Sequence, residues 1–451
     1  MSILKRAWRK LTSKPAMVIL VAFAFVILVG TLILTLPISS SSGEWTSVAD
    51  ALFTATSATC VTGLIVQDTA TYWSFFGQLV ILLLIQIGGM GVVTMAVAVT
   101  MITGRKIGLR QRWIMQESIA APQMGGILRH TRFILFTAAG IELTGAVLFS
   151  VRFIPQYGLL KGIWYSIFHA ISAFCNAGFD LMGANEQFSS LTWYSSDAYV
   201  LLVACGLILA GGLGFVTWND IKTHKLNLRH YSLQSMIVLT LTFFLLGGAF
   251  LYFLYEFSLP QWSDLSASER VLNAFFQAVT PRTAGFNAVD LDNLSETGKG
   301  LTIILMLIGC SSGSTGGGFK LTTLGVLLIS MVSVFMGKKH TEAHHRRIPS
   351  GIVRNASALT TLYVLCVALS ALVISSIEDL PLVTTMFETA SAMATVGLSL
   401  GITPTLSLAS RAILIALMFT GRAGGLTLMY AIVQRENPYK TKYPSESLAI
   451  G

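Results

Sequence analysis

Charged residues are scarce in this sequence. Asp, Glu, Lys and Arg make up only 11% of the 451 residues, whereas 53% are hydrophobic and the mean hydropathy is +0.70. In an average soluble domain, about a quarter of the residues are charged. The shortage of charge therefore excludes a soluble globular protein and indicates an integral membrane protein.

Cysteine is also rare, and none of the five cysteines lies in a pair of loops spaced for a disulfide or a metal ion. Each lies within or beside an apolar segment, namely Cys60, Cys175, Cys205, Cys310 and Cys366. No combination of His, Cys and carboxylate residues recurs at a spacing that catalysis would need. The sequence therefore predicts neither a disulfide framework nor an enzyme.

Long apolar runs dominate the chain. A helix needs about 20 apolar residues to cross a bilayer, and runs that approach this length lie near residues 17–36, 79–101, 133–154, 199–218, 236–257, 358–375 and 412–433. An eighth run, 301–336, is too long for one span and is interrupted. The first run resembles a signal peptide but lacks a convincing cleavage site, so we interpret it as a retained span. The predicted fold is all-α with eight membrane spans.

The formal charge of +9 raises the question of a nucleic-acid partner. Most of the 30 Lys and Arg residues, however, lie before the first predicted span and in the loops after the second, fourth, sixth and last spans. If eight spans alternate, all these segments face one side, and the side rich in Lys and Arg is the cytoplasmic one. The sequence thus predicts a multi-pass protein of the cell membrane with both termini in the cytoplasm, and no nucleic-acid partner.

One of these basic loops contains three histidines, His340, His344 and His345. Their residue type suits a metal ion, but in a basic cytoplasmic loop we favour a solvated segment that contacts lipids or a partner protein. The basic loops contain few carboxylates of their own, so they could bind anionic lipids or an acidic protein surface. A metal site is the less favoured alternative.

Four segments are variants of one pattern: ALFTATSATCVTGL (51–64), SIFHAISAFCNAGF (166–179), AFFQAVTPRTAGF (274–286) and TMFETASAMATVGL (385–398). They share a Phe, a Ser or Thr four residues later, and a closing Gly. The third copy is one residue shorter and carries Pro281 and Arg282. The pattern predicts four fused repeats, each of span, re-entrant pore helix and span, with pseudo-four-fold symmetry around one pore. Their predicted bounds are 1–104, 105–224, 225–340 and 341–434, followed by a tail at 435–451.

Each pattern begins with a helical segment of about ten residues, which is too short to span a bilayer but long enough to enter it halfway. Non-helical backbone at membrane depth is tolerated only where it is buried in protein or lines a wet cavity. Glycine permits positive φ, so successive carbonyl groups can point the same way. Four such turns would form a ring of carbonyl oxygens that replaces the hydration shell of a monovalent cation. The pore helices would direct their partially negative C-terminal ends at the ion.

A second glycine cluster follows each pattern: IGGMGVVT (87–94), AGGLGFVT (210–217), STGGGFKLTT (314–323) and GRAGGLTL (421–428). Small residues permit tight helix packing, the interpretation that we favour for the first two clusters. In 309–318 Gly and Ser are too dense for a continuous helix, because each Gly costs about 1 kcal/mol relative to Ala. The stretch GCSSGSTGGGFK (309–320) does not match a phosphate-binding loop, since Lys320 is followed by Leu321 rather than Ser or Thr.

The four glycine-closed segments and GCSSGSTGGGFK make the sequence resemble the Trk/Ktr/HKT superfamily of potassium transporters. The resemblance covers essentially the whole chain and is strongest for the KtrB type, the membrane subunit of bacterial Ktr systems. It implies channel-like potassium uptake by a homodimer in which each protomer has its own pore. It also implies a cytosolic ring of RCK-type regulatory subunits, with the regulatory nucleotide bound only to that partner.

The resemblance further implies which residues carry the function. The carbonyl groups of a selectivity filter would come from Val61, Thr62, Gly63, Asn176, Ala177, Gly178, Thr283, Ala284, Gly285, Thr395, Val396 and Gly397. In the plant branch of the superfamily a serine at the first filter glycine accompanies sodium selectivity, so Gly63 favours potassium. A mobile gate below the filter would consist of Gly309, Ser311, Ser312, Gly313, Ser314, Thr315, Gly316, Gly317, Gly318 and Arg422.

The ionisable residues inside predicted membrane segments include Arg422, Glu142 and Glu388. A charged side chain there is costly and usually faces a polar interior or a partner, and the resemblance places Arg422 near the gate as a positive barrier to cations. We assign Glu142 and Glu388 to structural pairing, with a direct role in function as the less favoured alternative.

A secondary transporter with alternating access, coupled or permeable to sodium, is the main alternative. Internal repeats and broken helices are also typical of that class. Its repeats, however, are usually two and often inverted, whereas the four found here share one orientation. The sequence leaves open whether sodium is coupled to transport or acts only as an activator.

Overall fold

The structure is a computed structural model that describes residues 15–102, 127–225, 227–425, 427 and 446. The basic N-terminal segment before residue 15, most of the basic loop after the second predicted span and nearly all of the predicted tail at 435–451 lie outside these ranges. The described part of the chain is mainly helical. Its helices follow one another in a similar order four times.

Each of the four groups contains a long helix, a short buried helix and a further helix that runs away from the end of the short one. The first group comprises α1 (Pro15–Thr35), α2 (Val48–Cys60), α3 (Phe75–Met90) and α4 (Val92–Ile102). The second comprises α5 (Ile127–Tyr157), α6 (Leu159–Cys175), α7 (Ala198–Gly212) and α8 (Phe215–His224). The third comprises α9 (Leu233–Glu256), α10 (Ala267–Val279), α11 (Glu296–Leu307) and α12 (Leu321–Phe335). The fourth comprises α13 (Ser350–Glu378), α14 (Leu382–Ala394) and α15 (Leu408–Ala423).

The connections contain short elements only. Strands β1 (Glu342–Ala343) and β2 (Arg346–Arg347) pair antiparallel, with Glu342 opposite Arg347. Single turns of 3-10 helix lie at Pro37–Ser39, Met182–Ala184, Thr192–Tyr194, Leu228–His230, Pro260–Trp262, Leu291–Asn293 and Thr403–Thr405.

Serine side chains begin several of the helices. The hydroxyl groups of Ser47, Ser74 and Ser407 accept hydrogen bonds from backbone N–H groups in the first turns of α2, α3 and α15. Ser266 forms a capping box with Glu269 at the start of α10. Each cap gives an acceptor to a backbone N–H group that has no partner within the helix, which stabilises the protein by about 1 kcal/mol. The caps therefore fix where these helices begin.

The short helices α2, α6, α10 and α14 form the centre of the molecule. The phenylalanine that anchors each sequence pattern is at most 1% exposed, at Phe53, Phe168, Phe276 and Phe387. The long helices instead turn large apolar side chains outward, for example Phe25, Phe136 and Phe243. In the described ranges α1, α5, α9 and α13 are long and apolar enough to cross a membrane, and two bent helix pairs raise the number of such spans to as many as six. The predicted all-α membrane fold is confirmed.

The apolar runs 79–101 and 199–218, predicted as spans, are each bent in the structure. The axes of α3 and α4 are bent by 99° relative to each other, and those of α7 and α8 by 92°. At the bends Gly91 and Gly214 have φ of 85° and 82°, a backbone conformation that side chains disfavour. The run is apolar throughout, but its glycine ends the helix.

Tight packing, the interpretation that the sequence favoured for these two clusters, accounts for the glycines before each bend. A Cβ atom on Gly89 would lie 2.6 Å from Sγ of Cys175, and one on Gly212 would lie 2.9 Å from Sγ of Cys310. The same clusters thus pack against neighbouring repeats and break their own helices. The third repeat has a longer break, because the backbone between α11 and α12, residues 308–320, is irregular.

An ion pair joins the first and fourth groups of helices. Nη1 of Arg411 lies 2.8 Å from Oδ1 of Asp50, and Nη2 donates to the carbonyl oxygen of Pro404 at 2.8 Å. The two charged side chains are only 19% and 15% exposed. Removing one of them leaves the other charge buried without compensation.

We therefore expect Arg411→Met to lower the thermal unfolding midpoint of the detergent-solubilised protein, through a loss of about 1.5–3 kcal/mol. The double variant Asp50→Asn/Arg411→Met should recover part of the loss, because no unpaired charge remains. Arg152→Met, which removes an exposed ion pair with Asp197, is the matched control and should change the midpoint little. A midpoint of Arg411→Met equal to that of the control would contradict the expectation.

Candidate functional site

The C-terminal ends of α2, α6, α10 and α14 meet at the centre of the molecule, where the chain turns back. The first residue of each predicted filter triplet has left-handed backbone, with φ between 52° and 62° at Val61, Asn176, Thr283 and Thr395. The third residue again has positive φ, between 68° and 97° at Gly63, Gly178, Gly285 and Gly397. The repeated sequence thus builds the same backbone turn four times.

The four closing glycines lie in mutual contact. A Cβ atom on Gly63 would lie 2.6 Å from the carbonyl oxygen of Ala177 and 3.1 Å from Cα of Gly178. In the same way, a Cβ atom on Gly178 would meet the carbonyl oxygen of Ala284, one on Gly285 that of Val396, and one on Gly397 that of Thr62. Each glycine therefore faces the middle carbonyl group of the next repeat, and the cycle closes. We call these four residues the glycine ring.

A hydroxyl group in each repeat stabilises the turn. Oγ of Ser57 accepts a hydrogen bond from the N–H of Gly63 at 3.1 Å, and Oγ of Ser391 accepts one from Gly397 at 3.0 Å. In the other two repeats the hydroxyl donates to a carbonyl oxygen, from Ser172 to Phe179 at 2.6 Å and from Thr280 to Phe286 at 2.5 Å. This residue is the Ser or Thr shared by the four sequence patterns, to which the sequence analysis gave no role.

The third turn is the irregular one, as its sequence suggested. The side chain of Arg282 is 5% exposed and donates to Oγ1 of Thr242 at 3.2 Å. Its carbonyl oxygen accepts hydrogen bonds from Nδ2 of Asn176 at 3.3 Å and from Sγ of Cys310 at 3.2 Å. These contacts tie the third turn to the second repeat and to the irregular segment 308–320.

Two cavities lie on either side of this assembly. The upper cavity, of about 220 Å³, is lined by the glycine ring and by the loops that follow it. The lower cavity, of about 320 Å³, is lined by parts of the irregular segment, by Lys320 and Arg422, and by the bends at Gly91 and after Gly214. The irregular segment 308–320 lies between the turns and the lower cavity.

The irregular segment touches the lower ends of three turns. Oγ1 of Thr315 donates to the carbonyl oxygen of Phe174, the penultimate residue of α6, at 2.9 Å. A Cβ atom on Gly316 would overlap the hydroxyl group of Thr283, and one on Gly317 would overlap that of Thr395. The structure therefore brings the predicted gate residues directly beneath the predicted filter residues.

Arg422 contacts this segment from the lower cavity. Its Nη1 donates to the carbonyl oxygen of Thr315, and its Nη2 donates to the carbonyl oxygens of Gly88 and, at 3.1 Å, Gly89. A guanidinium group has five donors in a fixed plane, which suits it to hold several carbonyl groups together. Arg422 thus connects the irregular segment to the last turn of α3.

Lys320 makes a second cationic contact with the same segment. Its Nζ donates to the carbonyl oxygen of Gly316 at 2.7 Å and to that of Gly317 at 3.0 Å. From the sequence, Lys320 was considered only as a possible phosphate ligand, and this contact was not predicted. The signal that could have revealed it is a lysine at the end of a glycine run inside a membrane segment, where its charge needs carbonyl partners.

Glu142 and Glu388 have neutral partners. Both carboxylate oxygens of Glu142 accept hydrogen bonds from Nε2 of Gln86, at 3.0 and 3.1 Å. Glu388 accepts hydrogen bonds from the hydroxyl groups of Ser399, at 2.7 Å, and Thr403. These contacts connect α5 to α3, and α14 to the loop that lines the upper cavity.

The histidine loop forms the turn between β1 and β2, where His344 and His345 have φ of 47° and 58°. Within the ranges that the structure describes, no group of three or more His, Cys, Asp or Glu side chains is placed to hold a metal ion. The two histidines serve as turn residues of the hairpin.

Four re-entrant helices that end at one centre, inside a shell of apolar membrane-length helices, define a membrane transport protein with a central pathway. The sequence pattern of one family, described as TrkH, cation transport protein, matches residues 3–438. The chain belongs to this family, and its predicted membership of the Trk/Ktr/HKT superfamily is confirmed.

Individual relatives agree with this assignment. The chain is 41% identical to the potassium/sodium uptake protein NtpJ of Enterococcus hirae, with 100% of both chains covered. It is 40% identical to the Ktr system potassium uptake protein B of Bacillus subtilis, with 98% of both covered. The crystal structure of the potassium transporter TrkH from Vibrio parahaemolyticus matches with a TM-score of 0.71 and 19% identity, over 94% of this chain and 85% of that one. The last likeness concerns the fold alone.

Proposed function

We propose that the protein takes up potassium across the cell membrane through a channel-like pathway along the glycine ring. The observation that carries this proposal is the closed cycle in which each glycine lets a carbonyl group of the next repeat approach the centre. Carbonyl oxygens that replace water are the ligands that selective potassium pores use. The uptake proteins for potassium among the relatives support the same cargo.

In this proposal the filter consists of the four triplets 61–63, 176–178, 283–285 and 395–397. The left-handed first residue and the positive φ of the closing glycine in each triplet support this proposal, because such a backbone lets successive carbonyl groups point the same way. The C-terminal ends of the four short helices add partial negative charge below the ring. A potassium ion is the transported substrate there.

The gate of the proposed pathway is the irregular segment 309–318, held by Arg422 and Lys320. Arg422 and Lys320 bind different carbonyl groups of the segment. Their positive charge repels a potassium ion that leaves the filter. Uptake requires the segment to move away from the turns, so anything that weakens either cation's contacts favours the open state.

We also propose that the protein functions as a homodimer bound to a cytosolic RCK-type ring, with the nucleotide bound to that ring and both termini of this chain in the cytoplasm. The described basic side chains at Lys338, Lys339, Arg346 and Arg347 are exposed and would face the ring or anionic lipids. Surface charges of this kind attract an acidic partner in a salt-dependent manner.

Copurification tests this assembly. An RCK subunit co-expressed with the protein should copurify at low salt and dissociate progressively as the salt concentration rises. Charge reversal at Arg346 and Arg347 should weaken the complex, whereas charge reversal at Arg152, near the C-terminal end of α5, should not. An RCK subunit that fails to copurify at low salt would refute the proposed partner.

Potassium uptake itself is tested by ⁸⁶Rb⁺ flux into liposomes that contain the purified protein. Unlabelled K⁺ should compete with the tracer much more strongly than Na⁺. A sodium-coupled carrier is the second candidate, favoured by the likeness to a protein named for both ions. It would require a sodium gradient for flux and would transport far more slowly than a pore, whereas sodium as a mere activator would stimulate flux without any gradient.

A further inference from the structure

The upper cavity has one carboxylate in a position that the other three repeats fill with uncharged residues. The residue after each glycine of the ring is apolar and 1% exposed, namely Leu64, Phe179, Phe286 and Leu398. The next residue in each repeat is half-buried and lines the upper cavity, namely Ile65, Asp180, Asn287 and Ser399. The four side chains occupy equivalent places around the upper end of the glycine ring.

We propose that Asp180 forms a binding site for a monovalent cation at the outer end of the filter, which recruits the ion from solution and sets the affinity of uptake. The inference rests on the proposed function, in which the upper cavity faces the outside. A half-buried negative charge in a small cavity with low-dielectric walls raises the local concentration of cations. The carboxylate of Asp180 can replace part of the ion's hydration shell, and the carbonyl groups of the ring can replace the rest.

The hydrogen bonds of the nearby carboxylates single out Asp180. Its Oδ1 accepts one hydrogen bond, from the N–H of Met182 at 2.9 Å, and no other hydrogen bond to its carboxylate is recorded among the described residues. Asp68, behind the cavity, is saturated, because it accepts hydrogen bonds from three backbone N–H groups and one hydroxyl group. Asp290, on the rim, uses both oxygens to accept hydrogen bonds within its own loop. Of these three carboxylates, only Asp180 retains an oxygen that accepts no hydrogen bond from the described residues.

The charge of Asp180 depends on pH in the physiological range. Burial and, to a smaller extent, the charge of Asp68 raise the pKa of its carboxyl group to about 7, against the opposing effect of the N–H of Met182. The other titratable or charged groups around it are Tyr165 and His169 on α6, and Asp290 across the cavity. Both ring nitrogens of His169 are engaged with backbone atoms of residues 165 and 181. Below pH 7 the carboxyl group is mainly protonated and loses its attraction for cations, and above pH 7 it is mainly charged.

The test measures the rate of ⁸⁶Rb⁺ uptake against external K⁺ concentration in cells that lack their own potassium uptake systems. Asp180→Asn should raise the KM for K⁺ about threefold to tenfold, as expected for loss of one partly screened charge, with the maximal rate per protein unchanged. Asp290→Asn, which removes an exposed carboxylate from the same cavity, is the matched control and should leave the KM near that of wild type.

Two further arms separate recruitment from loop structure. Asn287→Asp in the Asp180→Asn background restores a carboxylate at an equivalent position and should bring the KM back towards the wild-type value. Lowering the external pH from about 8 to about 6 should raise the KM of wild type but not that of Asp180→Asn.

Three outcomes separate the proposed function of the protein from the proposed role of Asp180. No saturable uptake by wild type would refute the proposed function itself. Normal uptake by wild type with an unchanged KM in Asp180→Asn would overturn the recruiting site alone. A reduced maximal rate with an unchanged KM, not rescued by Asn287→Asp, would show that Asp180 only supports the loop through Met182.

Discussion

Replacing Arg422 with alanine is expected to raise basal potassium flux about tenfold or more and to make it largely independent of the RCK partner. The reason is that Arg422 donates to Thr315 in the irregular segment and to Gly88 and Gly89 in α3. A hydrogen bond from a charged donor contributes about 1.5–3 kcal/mol, so losing the bond that holds the segment at Thr315 moves the equilibrium between closed and open segments by roughly one to two orders of magnitude.

Lys320 provides an independent test of the same gate. It holds the carbonyl groups of Gly316 and Gly317, which Arg422 does not touch, so Lys320→Met alone should raise basal flux and the double variant should raise it further. Deleting part of residues 311–317 should have the same effect without altering either cation. Arg354→Ala, which removes an exposed arginine from α13, controls for the loss of positive charge.

Flux is measured per correctly folded protein in liposomes, with and without the proposed partner. If 309–318 only packs helices together, shortening it would reduce expression or thermal stability without opening a pathway. A well-folded deletion variant with wild-type or lower basal flux would reject the gate assignment.

Gly63→Ser is expected to abolish most of the preference for K⁺ over Na⁺ while the protein still folds. The backbone at Gly63 has φ of 97°, and a Cβ atom there would lie 2.6 Å from the carbonyl oxygen of Ala177. The serine must therefore displace a carbonyl group of the neighbouring triplet, and a potassium ion loses one of its ligands. A smaller ion that retains more of its water depends less on the complete ring.

The control for this variant separates backbone strain from crowding at the filter. Gly43 also has positive φ, 72°, but an added Cβ would meet no atom within 4 Å, so Gly43→Ser should leave selectivity intact. Competition of K⁺ and Na⁺ against ⁸⁶Rb⁺ flux gives the preference for each variant. Unchanged competition in Gly63→Ser would count against the filter position.

The repeated parts of the site were predictable from sequence because they are local. The Phe, the Ser or Thr and the glycine of each pattern lie within about ten residues, and each makes its contacts within its own turn or with the equivalent turn next to it. Four copies of one weak pattern therefore predicted the turns at the centre of the fold, although a single copy would not have identified them. The bounds of the repeats stay predictions.

The remainder depends on contacts between distant parts of the chain. Arg422 meets Gly88 across 334 residues, and no spacing in the sequence encodes that distance. The bends at Gly91 and Gly214 were missed because hydropathy is blind to backbone direction, and the apolar run continues past each bend. Asp180 escaped notice because its meaning lies in comparison with Ile65 and its other counterparts, which requires knowing that they surround one cavity.

The glycine ring has a consequence for how such a chain can evolve. Each of the four glycines leaves space for a carbonyl group of the following repeat. A side chain introduced at one of these glycines would therefore clash with the neighbouring repeat rather than with its own. The four repeats are separate segments of one chain, yet the same packing constraint acts on all four glycines. The repeats can therefore differ from one another at neighbouring positions, as at Ile65 and Asp180, while the four glycines can be exchanged only by changing adjoining repeats together.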